Sequence, residues 1–404
     1  MPDPALRRIL RLVAARSLNT FGRAVITATV YWELFDRTDD ALVLAGVGFV
    51  QVVPVVLLFV PAGTLVDKGD RRRLSTIAAS TTGLVGIGLA LASYAGAPVA
   101  VYFALLFAQG CVNVIHAPAS SSLIPLIIPR EDLVRTNRIG ASLQELAAIT
   151  GPALAGLALI WVWPHWVYAV VAITGIGSGV LYRSLPKPRA FETTAVSARK
   201  DWRAGLRFIF RSPLLLPALT LDMVAVLFAG VPALLPVVAK KILHVGPFGY
   251  GILRASQSAG AVVMALIGGR FPAWRKPGRA LLIVVVLFGV ATMAFGLSTS
   301  FPLSVALLVL CGALDNISVV IRLTLEQMVV PDQIRGRVAS VHYVFIGMSN
   351  ELGGAESGLA AALVGTVPAI VGGGAIAVLF TLFVAARWRD LAKMPPLAEL
   401  RPIE

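Results

Sequence analysis

The chain has 404 residues, 57% of them hydrophobic and only 14% charged, where a soluble protein of this size carries about 25% charged residues. That balance excludes an ordinary water-soluble globular protein. Its two cysteines, Cys111 and Cys311, both fall inside predicted helices, so a disulfide framework is excluded as well, and no Cys/His pair has zinc spacing.

Apolar stretches of about 20 residues, long enough to cross a bilayer, recur at 10–34, 41–63, 74–95, 98–125, 139–160, 162–184, 213–239, 248–271, 279–299, 302–329, 338–365 and 367–386. They predict an all-α membrane protein with twelve transmembrane helices, and the first stretch is too long for a cleavable signal peptide. In helix one, Arg16, Asn19 and Arg23 follow a three- and four-residue spacing and share a face. Between the second and third stretches lies a charged, glycine-punctuated turn, Gly63-Thr64-Leu65-Val66-Asp67-Lys68-Gly69-Asp70-Arg71-Arg72-Arg73. Helix four carries Gln109-Gly110, Asn113 and His116, the last read as a packing or cavity-lining histidine. Helix five carries Glu145, within reach of Arg135 or Arg138, and Gly151-Pro152-Ala153-Leu154-Ala155-Gly156. Its small residues favour close helix packing, and its proline loosens the backbone. Trp161, Trp163 and Trp166 mark an outer interfacial belt.

A basic, proline-containing linker at 185–212 divides the helices six and six, giving an N-terminal bundle at 1–184, a C-terminal bundle at 213–390 and a short tail at 391–404. The part at 191–211 reads either as an interfacial segment or as a solvated linker. In the second half Asp222, Asp315 and Glu351 fall near mid-depth, Glu356 lies farther outward, and Arg254 lies about 10 Å from its helix's outer end at 1.5 Å per residue. A charge at that depth costs roughly 2.5–3.5 kcal/mol and normally faces a cavity or a partner. Each acid is therefore either a proton-exchanging group or one half of a permanent ion pair. Arg322 and Glu326, four apart in helix ten, are expected to neutralise each other.

Placement explains the net charge of +14. With the amino terminus in the cytoplasm, 28 of the 35 Lys and Arg fall in cytoplasmic segments and three in outer loops, the bias that the positive-inside rule gives for two cytoplasmic termini. The basic balance records topology and excludes a nucleic-acid partner. The halves also repeat. A shift of 203 places Asn19 on Asp222, Gly46 on Gly249, Gly48 on Gly251 and Gln51 on Arg254, and a shift of 202 places Gly110 on Gly312, Asn113 on Asp315 and Pro129 on Pro331. This is the pattern of two pseudo-symmetric six-helix bundles built as parallel repeats.

The loop at 63–73 resembles the one that joins the second and third helices of the major facilitator superfamily, and the resemblance extends over nearly the whole chain. It implies a conformational latch formed by Gly63, Asp67, Arg71, Arg72 and Arg73, with Asp70 standing where the general pattern has glycine. The duplicated loop at 269–275 lacks the aspartate, which weights latching toward the first half. Gly151, Pro152 and Gly156 resemble the family's antiporter motif, with Ala147 in place of its leading glycine. Leu106 replaces an arginine that many family antiporters carry before Gln109-Gly110, so a coupling scheme through that arginine does not transfer.

Leu221-Asp222-Met223, Gly249-Tyr250-Gly251-Ile252-Leu253-Arg254, Arg335-Gly336-Arg337-Val338 and Ser349-Asn350-Glu351-Leu352-Gly353 resemble the siderophore-exporter branch. The resemblance implies a proton-coupled exporter of siderophore or drug-like molecules in a bacterial cytoplasmic membrane. It would work by alternating access, as a monomer among membrane lipids and without a cofactor. Proton coupling is expected at Asp222, Asp315 or Glu351, and a substrate cavity at Arg16, Asn19, Arg23, Asn113, Arg254 and Glu356. With no Gly-Lys pair the chain has no phosphate loop for ATP. An importer, a lipid facilitator and a non-transporting sensor remain the alternatives. An intramembrane enzyme does not fit polar groups dispersed over a duplicated scaffold.

Overall fold

The structure, a computed structural model, describes residues 4–186, 202–268, 274–331 and 334–400. Among them every regular element is helical. The first six apolar stretches form α1 (Pro4–Thr38), α2 (Ala41–Lys68), α3 (Arg71–Tyr94), α4 (Val99–Ile127), α5 (Leu133–Ala158) and α6 (Pro164–Arg183). Of the predicted linker, 187–201 lie outside the described residues, and α7 (Trp202–Arg211) occupies most of the remainder. Then come α8 (Leu215–Ala229), α9 (Leu235–Val237) running into a π-helical turn at Val238–Ile242, α10 (Gly246–Gly268), α11 (Pro277–Leu297), α12 (Phe301–Val329), α13 (Arg335–Val364), α14 (Thr366–Arg387) and α15 (Arg389–Ala392).

Among the described residues eight helices are long and apolar enough to cross a membrane, or nine if α7 and α8, bent by 95°, count as one span. All twelve predicted stretches are helical over most of their length. However, α1, α5 and α13 carry too much charge and polarity to pass on composition, and the seventh stretch is broken. The predicted continuous helix at 213–239 is thereby corrected. Gly230 turns to extended backbone (φ −76°, ψ 113°). Pro232 has no amide hydrogen to continue the ladder and disfavours helix at the residue before it. The carbonyl freed at Gly230 accepts a hydrogen bond from Ser357 Oγ at 3.2 Å, which meets the need for internal satisfaction of backbone groups in lipid.

The chain packs as two compact units, Met1–Glu192 with Val245–Ala255, and Thr193–His244 with Ser256–Glu404. In the first, α1 packs on α5 and α6, and α3 on α4 and α6, with α2 on α4. In the second, α8 packs on α13 and α14, and α11 on α12 and α14. These are the same pairings under the sequence shift. One crossing shows it at atomic detail. A Cβ on Gly110 of α4 would stand 2.8 Å from Pro54 Cγ of α2, and one on Gly312 of α12 would stand 1.7 Å from Gln257 O of α10. Pro54 and Gln257 are themselves 203 apart, so both units use a glycine to let the same two helices touch. Lipid tails are as apolar as leucine, so such close packing, rather than water exclusion, holds the helices together.

A buried carboxylate that sequence reading did not single out ties the first unit. Glu33 of α1 is 5% exposed. It accepts hydrogen bonds from Ser93 Oγ and Tyr102 OH, each at 2.7 Å, and from Tyr168 OH at 2.9 Å. Arg37, counted from sequence among outer-loop cations, lies in the last turn of α1 and donates to Tyr102 OH at 2.8 Å and Ala97 O at 3.0 Å. Four helices therefore converge on one acid. Glu33→Ala should lower unfolding stability by about 3 kcal/mol, because it strands buried hydroxyls. Glu33→Gln should cost less, and thermal melting in detergent will rank the two.

Candidate functional site

In the first unit the polar groups come from one face each of two helices. Arg16, Asn19 and Arg23 line α1, and Gln109, Asn113 and His116 line α4 at matching spacings. The faces meet where Asn19 Nδ2 approaches His116 Nδ1 at 3.3 Å. Gln109 Nε2 donates to Asn113 Oδ1 at 2.9 Å and to Thr82 Oγ1 at 3.2 Å. Both half-buried arginines lie within electrostatic reach of His116. With Asn19 donating to Nδ1, the other ring nitrogen of His116 carries the hydrogen. That Nε2 and Asn19 Oδ1 are both buried without a hydrogen-bond partner among the described residues. The patch thus offers a donor, an acceptor and two cations.

The second unit repeats the positions with opposite chemistry. Asp222 of α8 and Asp315 of α12, the counterparts of Asn19 and Asn113, line one small cavity with Ser318, Val226, Val285 and Phe288. It has room for about one water-sized guest. Asp222 forms a buried ion pair with Arg322 of α12, whose Nε donates to Ser318 O at 3.3 Å. Glu326 pairs instead with His342 Nδ1 of α13. The expected Arg322–Glu326 pair is therefore not formed; each group has a partner on another helix. Of the two roles left open for Asp222, the ion pair is the one seen here. His342 was missed because a partner sixteen residues away on another helix leaves no periodic trace.

The remaining predicted positions are dispersed. Glu351 and Glu356 are half-buried on α13, with Ser357 Oγ 3.4 Å from Glu356 Oε2. Arg254 lies on the part of α10 that belongs to the first unit, one turn after Tyr250. Tyr250 stacks on Trp32 with ring centroids 5.2 Å apart and donates to Ala28 O at 2.8 Å. Gly151 lets α5 close on α1, where a Cβ would stand 2.8 Å from Ala24 Cβ. Gly156 meets Gly251, with 2.2 Å between the added Cβ and Gly251 Cα. Pro152 lies inside α5 between them. Among the described residues no group of His, Cys, Asp and Glu is placed to hold a metal.

The loop at 63–73 is shorter than its sequence implied. Gly63 is not a tight exit, because α2 continues to Lys68 and leaves only Gly69 and Asp70 as the turn. Asp67 lies in the last turn of α2. The residue that caps α3 is Asp70, accepting from Arg72 N at 2.9 Å and Arg73 N at 3.2 Å. Its carboxylate also faces the positive end of the helix dipole. Arg72 Nη1 donates to Leu185 O at 2.6 Å, while Arg71 is half-buried and Arg73 exposed. Most of the duplicated loop, 269–273, lies outside the described residues.

The model of the Major Facilitator Superfamily matches residues 12–354. The chain belongs to this superfamily. Its multi-pass helical fold is that of a membrane transporter. Among curated relatives it is 26% identical over 346 residues to the enterobactin exporter EntS of Citrobacter koseri, covering 84% of this chain and 83% of that one. It is 25% identical over 355 residues to the macrolide efflux protein A of Streptococcus pyogenes, covering 84% and 86%. Among solved structures, a D-xylose-proton symporter aligns with TM-score 0.74 at 14% identity over 98% of this chain and 99% of that one. A bacterial homologue of the human lysosomal transporter Spinster aligns with TM-score 0.73 at 15% identity, covering 99% of each.

Two predictions follow from these placements. Asp70→Ala should cost about 1 kcal/mol of stability while Asp70→Ser is nearly neutral, because the cap needs an oxygen acceptor rather than a charge. Thermal melting separates the two. Arg322→Gln strands a buried carboxylate and should cost about 3–5 kcal/mol. Adding Asp222→Asn should recover much of that loss, and the double-mutant cycle measures the coupling.

Proposed function

We propose that the protein is a secondary active exporter, driven by protons, that moves small organic molecules across a bacterial cytoplasmic membrane by alternating access. In this reading it spans the membrane twelve times, keeps both termini in the cytoplasm and works as a monomer, with the bundles at 1–184 and 213–390 as its two halves. The observation that carries the reading is the cavity shared by Asp222 and Asp315. A carboxylate held away from water gains proton affinity, and a neighbouring guanidinium lowers it again. Such a group can exchange a proton for a guest that competes for the same site. Export rather than import is supported by the two efflux relatives.

For the substrate, the chemistry of Arg16, Asn19, Arg23, Asn113 and His116 favours an anionic or hydroxyl-rich molecule, of which a catecholate siderophore is the type case. Arg254 adds a further cation, and Glu351 and Glu356 contribute carboxylates on α13. The loop with Asp67 and Arg71 to Arg73 serves as the latch between conformations, and Gly151, Pro152 and Gly156 as the packing motif around which α5 moves.

Everted membrane vesicles energised with NADH turn export into accumulation. They should accumulate enterobactin or a macrolide, and a protonophore should abolish the accumulation. Asp222→Asn and Asp315→Asn should each reduce accumulation to the level of protonophore-treated vesicles. Full accumulation in both variants would refute the coupling assignment. Failure of the wild type with both probes would refute the export reading for these substrate classes.

A further inference from the structure

Along one face of α12, Asp315, Ser318, Arg322 and Glu326 succeed one another at three- and four-residue steps. Arg322 and Glu326 are one turn apart, a spacing at which such side chains meet on a helix surface. Here they do not. Arg322 reaches across to Asp222 on α8, and Glu326 to His342 on α13. All four are buried, with exposures of 3%, 8%, 6% and 5% for Arg322, Asp222, Glu326 and His342. Arg322 thus holds Asp222 although Glu326 stands one turn away on its own helix, and Glu326 holds His342 although Arg322 stands one turn away.

We propose that His342 and Glu326 form a proton-loading site whose charge decides which carboxylate Arg322 holds, and therefore whether Asp222 is released into the cavity it shares with Asp315. This rests on the proton-coupled reading above and names the place where the proton is held.

The charge balance gives the mechanism. With a proton on the imidazole, Glu326 faces a cation and Asp222 faces Arg322, so the four groups sum to zero. His342 Nδ1 keeps its hydrogen toward Glu326, which makes Nε2 the nitrogen that takes and returns the proton. That Nε2 is buried with no hydrogen-bond partner among the described residues. When its proton leaves for water, Glu326 is left facing a neutral ring, and the four groups carry one net negative charge. An uncompensated carboxylate at this burial draws the nearest cation. That cation is Arg322, one turn away, and its movement frees Asp222 for a proton. Only a proton is exchanged, with water, and no electron moves.

Asp315, two turns before Arg322 on α12, lines the same cavity as Asp222. The elements packed on α12 and α13 contribute Asp222 from α8, Arg207 and Arg211 from α7, Arg279 from α11, Arg387 from α14 and Glu399 from the short helix Leu397–Glu399. Asp222 is the buried one, inside α8; Arg207, inside α7, and Arg211, at its end, are exposed, and Arg279, Arg387 and Glu399 lie at helix ends. Among the described residues these elements contribute no second histidine.

The test is a pH titration of the purified protein in liposomes, followed by infrared difference spectroscopy. The variants are Glu326→Gln, His342→Gln and the conservative Glu326→Asp, each first checked for wild-type melting. Asp222→Asn identifies the Asp222 carboxylate band. In the wild type that band should change as the pH is raised. The change should vanish in Glu326→Gln and His342→Gln and survive in Glu326→Asp. Should Glu326→Gln not fold, the contrast of His342→Gln with Glu326→Asp reads the same switch. An Asp222 band indifferent to pH in the wild type, or one whose response is unchanged in Glu326→Gln or His342→Gln, overturns the proposal. No transport substrate is involved. A wild type that titrates as described yet fails the vesicle assay would therefore refute the export reading and leave the switch standing.

Discussion

A charge withdrawn from water must find its counter-charge within the helices, and much of this structure follows from that constraint. Asp222 binds α8 to α12 through Arg322, Glu326 binds α12 to α13 through His342, and Glu33 gathers hydroxyls from three other helices. Each pairing needs two backbones brought close enough for short side chains to meet. Glycines bring neighbouring backbones together at other crossings of these helices, as at Gly312 of α12 against Gln257 of α10 and Gly353 of α13 against Val226 of α8. Close packing and internal pairing are therefore one requirement seen twice, because lipid offers neither a hydrogen-bond partner nor a hydrophobic reward for association.

The duplication keeps the geometry and divides the chemistry. Equivalent crossings put Asn19 and Asn113 in one unit where Asp222 and Asp315 stand in the other. An amide donates and accepts without changing charge, whereas a carboxylate changes charge when it takes a proton. The first unit, with Arg16 and Arg23 beside its amides, carries a fixed field. The second presents one that protons can alter.

The helices were legible because crossing a bilayer demands long apolar runs, and a repeat leaves a constant offset between matching residues. The polar positions of α1, α8 and α12 were legible too, since an isolated charge in an apolar run stands out. What sequence could not give was partnership across helices. Arg322 and Glu326 looked like a pair because local spacing is the only proximity a sequence records, while their actual partners lie on α8 and α13. Glu33 escaped notice near a helix end, where a charge costs little. The turn at 63–73 misled in a related way. Glycine at 63 reads as a break, yet inside a helix with open space beside it the residue is tolerated, and the cap fell to Asp70. The interruption after Ala229 did have a local signal, in Gly230 followed by Pro232, but the surrounding apolar run outweighed it.

The ion pairing of Asp222 also shapes what a guest must bring. Breaking a buried pair by removing one member costs about 3–5 kcal/mol, whereas exchanging one member for another of equal charge costs far less. On the exporter reading proposed above, a guest group that reaches Asp222 therefore gains most if it replaces a charge rather than adds one. An anionic group competes with Asp222 for Arg322, and a cationic group competes with Arg322 for Asp222. Either exchange leaves a displaced charge that must be neutralised nearby, and the candidates are a proton on the freed carboxylate or a turn of Arg322 toward Glu326. On that same reading, guest and proton are linked because both act on one guanidinium. Coupling then needs no long path through the molecule, only a cation with two acids in reach and too little water to satisfy both.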